Sequence, residues 1–252
     1  MKCVNCQFDV AATFAFCPGC GSKLAATAAA DPLPAAAVAL SSAQADRRSA
    51  TVLFADLSGF TTISERLDPE DVRALQTDLF AALRAVIERH DAFLEKFVGD
   101  AVMAVFGAPV AHEDDPQRAV HAALDMHAAA VILSERWRLR LGHPLTLHIG
   151  IHTGRVVAGH LGTAADAAYA VTGDTVNTAS RLQSAAGAGQ TLASHAIFLQ
   201  TQHAFVFESG GTLALKGKAE PFAIYRLLGA HDKPHALRGL AAHGLVAPLV
   251  GR

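Results

Sequence analysis

No cysteine occurs after residue 20, no run of lysine or arginine breaks the charge balance, and no stretch of about 20 strongly apolar residues is present. Each absence closes a class of function. With 21 Lys and Arg against 23 Asp and Glu, a formal net charge of −2, the chain has no electrostatic reason to bind nucleic acid or a membrane surface broadly. The longest alanine-rich segment, LAATAAADPLPAAAVALSSAQA, is interrupted by Asp31, Pro32 and Pro34 and reads as a linker. The N-terminal MKCVNCQFDV lacks the charged-then-apolar order and the small-residue cleavage site of a secretory signal, so a cytoplasmic location is expected. No internal repeat is evident. With 252 residues, 51% of them apolar, one main globular core with small appendages is expected, and specific pockets must carry the function.

The four cysteines that are present form CVNC (Cys3, Cys6) and CPGC (Cys17, Cys20), two C-x2-C knuckles able to deliver four thiolates to one zinc ion. The competing readings are a redox pair and free thiols. The segment resembles a short zinc ribbon, too small to fold without its metal, which implies a structural zinc and a contact role for residues 1–23. An Ala/Pro-rich linker follows over 24–48.

From residue 49 the apolar pattern is that of an α/β sandwich. SATVLFADLSGF is a continuous apolar run ending at Asp56, as in a strand buried on both faces. In LDPEDVRALQTDLFAALRAVIERH, Asp68 and Pro69 mark a helix start, and Val72, Leu75, Leu79, Leu83 and Val86 recur at helical spacing. AFLEKFV and AVMAVFG, joined at Gly99-Asp100, read as a hairpin with Asp100 at its tip. A second helix begins near Asp115-Pro116, and LTLHIGIHTG and RVVAGHLG read as a further pair of strands. YAVTGDTVNTASRLQSAAG passes from strand to helix with Asn177 and Arg181 on one helical face, and two last strands flank Lys216-Gly217-Lys218.

A lone aspartate at a strand end or hairpin tip is usually a solvated turn residue. Two of them near one sheet end, Asp56 and Asp100, are the hard oxygen ligands that a two-metal phosphoryl-transfer site requires. VLFADLSGFTTISERL, LEKFVGDAVMAVFG, HIGIHTGRVVAG and YAVTGDTVNTASRL resemble, in order and spacing, the motifs of the class III nucleotidyl cyclase catalytic domain. That resemblance covers 49–228 and implies a ferredoxin-like α+β sandwich. It further implies that Asp56, Asp100 and the backbone of Leu57 hold two Mg or Mn ions, and that Gly59, Phe60 and Thr61 lie against the triphosphate. By the same resemblance Asn177 orients the ribose, Arg181 meets charge at the α-phosphate, and Arg155 and Lys218 hold the β- and γ-phosphates, with Lys216 a weaker candidate. In the family, metal aspartates and Arg155 come from one domain and Lys96, Asn177, Arg181 and Lys218 from its partner. This chain carries both sets, which implies a homodimer with two shared sites.

Lys96 sits where family members that use adenine carry lysine. An ammonium only donates, and adenine N1 accepts, so Lys96 favours ATP. At the second base-reading position stands Ala170, whose methyl group cannot accept from the adenine amine. Histidines 112, 121, 127, 148, 152 and 160 are read as surface or core fillers outside the site, because none has metal-ligand spacing with another site residue. The rival readings are a guanylate cyclase and a catalytically silent nucleotide-binding regulatory domain. The retention of Asp56, Asp100, Asn177 and Arg181 argues against the second. The tail 229–252, ending HGLVAPLVGR, resembles the lead-in to an NTPase module that follows this domain in some multidomain relatives. Ala170 makes one expectation direct: Ala170→Thr should raise the ratio of ATP to GTP turnover, measured as the two cyclic products, and an unchanged ratio refutes a base-reading role for this position.

Overall fold

The central strand β1, Asp46–Leu57, is apolar without interruption because it is covered on both sides. Leu53, Ala55 and Leu57 point into one core with the helices α2, Pro69–Arg89, and α3, Asp115–Leu141. Ala50, Val52 and Phe54 point into a second core, where they meet Ala179 of helix α4, Asp174–Ala185. Strand alternation thus assigns each residue of β1 to a layer. The structure, a computed structural model, describes residues 46–161, 168–214 and 221–232. Cys3, Cys6, Cys17 and Cys20, most of the Ala/Pro linker, Lys216, Lys218 and the tail from 233 lie outside the described residues. Asp46, Arg48 and the residue between them, assigned from sequence to the linker, belong to β1, where they pair with Val156–Ala158.

The order β1–α2–β2–β3–α3–β4 builds the ferredoxin-like half of the sheet, with β2 at Phe93–Val98, β3 at Ala101–Phe106 and β4 at Leu147–Leu161. A five-residue helix α1, Phe60–Ser64, intervenes after β1. Neighbours run β2-β3-β1-β4, all antiparallel, and the sheet continues through β6, Thr191–Ser194, then β8, Phe222–Ala230, to the edge strand β7, Phe205–Leu213. Strand β5, Ala168–Thr172, pairs with the far end of β4, and helix α5, His195–Thr201, packs beside α3. Among the described residues no helix is long and apolar enough to cross a membrane.

The hairpin expected at Gly99-Asp100 is present. Val98 pairs with Ala101 across a two-residue turn, and Gly99 takes φ 66°, the positive value that a tight hairpin turn demands at its first central position. The further pair of strands expected after α3 is instead a single element. From Leu147 to Leu161 the two segments form one continuous strand of 15 residues, β4, with Gly154 in its interior. That glycine serves a close approach instead of a turn: a Cβ there would meet Thr175 Oγ1 of α4 at 2.7 Å. Gly150 is tighter still, since a Cβ would stand 2.1 Å from Gln183 N and 2.4 Å from Ala179 O.

Helix α4 therefore lies with its backbone against β4, Thr175 over Gly154 and Gln183 over Gly150. The match is metrical: eight helical residues rise about 12 Å and four strand residues advance about 13 Å. Thr175 Oγ1 donates to Arg155 O at 2.7 Å and locks the N-terminal end. Because the obstacle at Gly150 is backbone, Gly150→Ala is expected to cost about 3 kcal/mol or more, as overpacking of a core contact does. Gly99→Ala, with open space around its Cβ, should cost only about 1–2 kcal/mol from positive φ. Thermal melts of the two proteins check this order, and equal melting temperatures refute it.

Candidate active site

Asp56 is the penultimate residue of β1, and alternation turns its side chain to the α4 layer, where Phe54 already points. There its carboxylate is held from three sides. Leu57 N donates to Asp56 Oδ1 at 3.0 Å, Gln183 Nε2 donates to Oδ2 at 3.3 Å, and His148 Nε2 stands 3.4 Å from Oδ2. His148 Nδ1 in turn donates to the backbone oxygen of Gln183 at 3.0 Å. The β2–β3 turn brings Asp100 against the same carboxylate, close enough for the two to hydrogen-bond.

The proton distribution follows from these contacts. Burial, then the hydrogen bond to Asp56 and repulsion by its charge, push Asp100 up to about 6. Burial pushes Asp56 the same way, but the hydrogen bonds from His148 and Asp100 outweigh it and hold Asp56 below the ordinary carboxylate range. His148 is raised, first by its hydrogen bond to Asp56. At mildly acidic pH the carboxylate pair shares one proton, carried by Asp100.

Two facing carboxylates, one of which keeps its proton up to about 6, make a site short of positive charge, and their donors are hard oxygens. That suits Mg or Mn. Among the described residues no three His, Cys, Asp or Glu side chains are placed to ligate one metal ion by themselves. The remaining ligands would come from the Leu57 backbone, substrate phosphate oxygens and water, the usual situation for Mg in phosphoryl-transfer sites.

The other sequence-assigned residues stand apart from this pair. Gly59, with φ 73°, caps α1, and Phe60 and Thr61 open that helix directly after β1. Lys96 is exposed on β2 and its ammonium lies 3.0 Å from Glu95 Oε2. Ala170 is half-buried on β5. Arg155 is exposed on β4, Asn177 is exposed on α4, and Arg181 is half-buried four residues on. Among the described residues, the side chains of Arg155, Asn177 and Arg181 have no hydrogen-bond or ion-pair partner within the chain. Three groups suited to anions and hydroxyls thus stand ready on the surface. A cleft of about 660 Å³ between α2 and α3, lined by Glu70, Arg73, Trp137 and Arg140 among others, contains none of these residues.

The expectation that all six histidines lie outside the site fails for His148. Its register partner across β1 and β4 is Asp56, so strand pairing places it there. Gln183 was also missed, although its position on the helical face opposite Arg181 is readable once α4 is known to bury that face. The remaining histidines keep structural roles: His127 bonds Thr191 Oγ1 at 2.9 Å, His121 packs on Phe205, and His160 on Tyr169.

Comparison with known proteins bears on this arrangement. The profile of the family described as "Adenylate and Guanylate cyclase catalytic domain" matches residues 43–229. Adenylate cyclase 1 of Rhizobium meliloti (strain 1021) is 34% identical over 185 residues, covering 73% of this chain and 28% of that protein. The structure of the adenylyl cyclase CyaB from P. aeruginosa superposes with a TM-score of 0.72 at 31% identity, covering 75% of this chain and 98% of that one. The guanylyl cyclase Cya2 superposes with a TM-score of 0.71 at 33% identity, covering 77% and 98%. The chain spans 18%, 28% and 37% of the length of three curated relatives that it matches.

The shared proton sets a pH dependence. A divalent ion needs both carboxylates ionised, so it must displace the Asp100 proton below about 6 and meets no proton well above it. Mn²⁺ affinity, measured by calorimetric or spin-resonance titration, is expected to fall by about tenfold per pH unit below about 6 and to be flat above 7. An affinity that rises as pH falls would refute the shared-proton pair.

Proposed function

The chain belongs to the adenylate and guanylate cyclase catalytic domain family, and from that premise we propose that it is an adenylate cyclase, converting ATP to 3′,5′-cyclic AMP and pyrophosphate. The observation that carries this reading is the Asp56–Asp100 carboxylate pair at one end of the sheet. Lys96 lies on the same hairpin as Asp100.

The reaction needs no protein nucleophile. The 3′-hydroxyl oxygen forms a bond to its own α-phosphorus in line while the bond from that phosphorus to the β-phosphate bridging oxygen breaks, and the hydroxyl proton passes to solvent. Bound Mg or Mn would favour ionisation of the hydroxyl and offset the charge of the departing pyrophosphate. The residues do the rest by position and charge. Asp56 and Asp100 hold the cations, the backbone from Leu57 through Gly59 and Phe60 to Thr61 lies along the triphosphate, and Arg155 and Lys218 hold its outer phosphates. Asn177 orients the ribose, and Arg181 opposes charge gathering on the α-phosphate, a task suited to a planar donor that stays protonated. Lys96 donates to adenine N1. A second reading is a guanine-using enzyme: Ala170 leaves the adenine amine without an acceptor and so weakens discrimination against guanine, while Lys96 opposes that reading.

Asn177 and Arg181 stand unpartnered on the outer face of α4, while Asp56 faces the inner one. One protomer therefore presents both halves of a site in different directions. A two-fold pair of identical chains closes each half with the other's complement. The four cysteines would fold residues 1–23 around a structural zinc, apart from catalysis.

The test is complementation. Asp56→Ala and Asn177→Ala proteins, each inactive alone with ATP or GTP and Mn²⁺, are expected to form cyclic AMP when mixed, reaching about a quarter of wild-type activity if chains exchange at random. No product from wild type with either nucleotide overturns the enzyme reading. No recovery on mixing overturns the shared sites.

A further inference from the structure

Gln183 belongs to no motif that marks the site, yet it is only 6% exposed and its amide reaches Asp56. It follows Arg181 by two residues, roughly 200° round the helix, so it occupies the face of α4 turned away from Asn177 and Arg181. Its backbone is fixed independently of its side chain. The amide nitrogen and Cα of Gln183 rest on Gly150, where a Cβ would approach to 2.1 and 2.8 Å. Its carbonyl accepts from His148 Nδ1 at 3.0 Å, and its side-chain Nε2 donates to Asp56 Oδ2 at 3.3 Å. Ser184 Oγ donates to Ser180 O at 3.1 Å and stands 3.5 Å from the Gln183 Oε1.

We propose that Gln183, acting with His148, is the positioning residue for Asp56: it fixes the orientation of that carboxylate from the seated side of α4 and so sets metal affinity at the site. This rests on the reading of Asp56 as a metal ligand. Neither residue touches the reacting atoms. A carboxylate left free to rotate must be ordered when a cation arrives, whereas one already held by an amide and an imidazole is not. Outer partners of metal ligands are typically worth 10–100-fold in affinity. Helix α4 thus has a divided role, its inner face serving the Asp56 of its own chain and its outer face serving the partner's site.

Gln183→Met keeps the length and helix propensity of the side chain and removes the donor. In the 252-residue chain without nucleotide, Mn²⁺ affinity read by spin resonance should fall by about tenfold. Unchanged affinity overturns the proposal. Mixed dimers then separate positioning from general damage. In a pair made of an Asn177→Ala chain and an Asp56→Ala chain, the working site takes Asp56 from the first and Asn177 with Arg181 from the second. Gln183→Met on the first chain should raise the Mn²⁺ concentration for half-maximal activity by about tenfold while kcat at saturating metal stays within about twofold. On the second chain it should leave that concentration unchanged. Equal shifts from both placements mean a structural role only and overturn the proposal. If Gln183→Met does not fold, His148→Leu carries the same two measurements with the same expected outcomes. Wild-type protein that binds Mn²⁺ but forms no cyclic product would sink the enzymatic reading alone, since the binding measurement needs no turnover.

Discussion

Gly150 has no side chain, and the placement of α4 depends on that. With Gln183 N at 2.1 Å from where a Cβ would lie, no other residue lets this helix reach β4. The contact is between two backbones, so it has none of the give of packed side chains. Once α4 is seated, both of its faces are fixed. Thr175, Thr178, Ala179, Leu182 and Gln183 turn inward, and Asn177 is left outside. A helix held by ordinary side chains would stand further from the sheet, and the Gln183 amide would not reach Asp56.

The carboxylate pair depends on a second constraint, the fixed origin of the β2–β3 hairpin. Arg118 of α3 binds Asp115, donates to the backbone oxygens of His90 and Asp91, and so ties the end of α2 to the start of α3. Asp115 is 7% exposed and its other oxygen accepts from His112 N at 3.0 Å. This buried, charge-assisted network holds the turn where Asp91 adopts φ 48°. From that turn β2 runs out to Asp100. Two aspartates from distant parts of the chain can meet in a half-buried position only because both strand ends are held against their mutual repulsion. Burial first, and then the neighbouring Asp56, keep the proton on Asp100 up to about 6.

Much of this was legible in residues alone. The unbroken apolar run of β1 signalled burial on both faces, and the Gly-Asp pair at 99 and 100 signalled the hairpin with Asp100 at its tip. The start of α2 at Asp68-Pro69 was legible for the same reason, since these signals are local and rest on backbone sterics. The long strand β4 was not. Gly154 looks like a turn residue in sequence, and only the proximity of Thr175 explains why a glycine stands inside a strand. His148 was set aside because it has no ligand spacing with its chain neighbours, although it faces Asp56 across the β1–β4 register.

The sequence by itself determined which chemical groups the protein owns and which local elements carry them: two aspartates at strand and hairpin ends, an Asn-Arg pair on one helical face, a lysine beside the hairpin turn. Periodicity and turn chemistry are properties of short segments, so they can be read without the rest of the chain. The tertiary structure alone decided which groups meet. It put Asp100 against Asp56, set His148 and Gln183 behind that carboxylate, and turned Asn177 away from the carboxylate pair of its own chain. Such meetings follow from strand register and from the closeness of a helix to a sheet, and these arise from packing between segments that are remote in sequence.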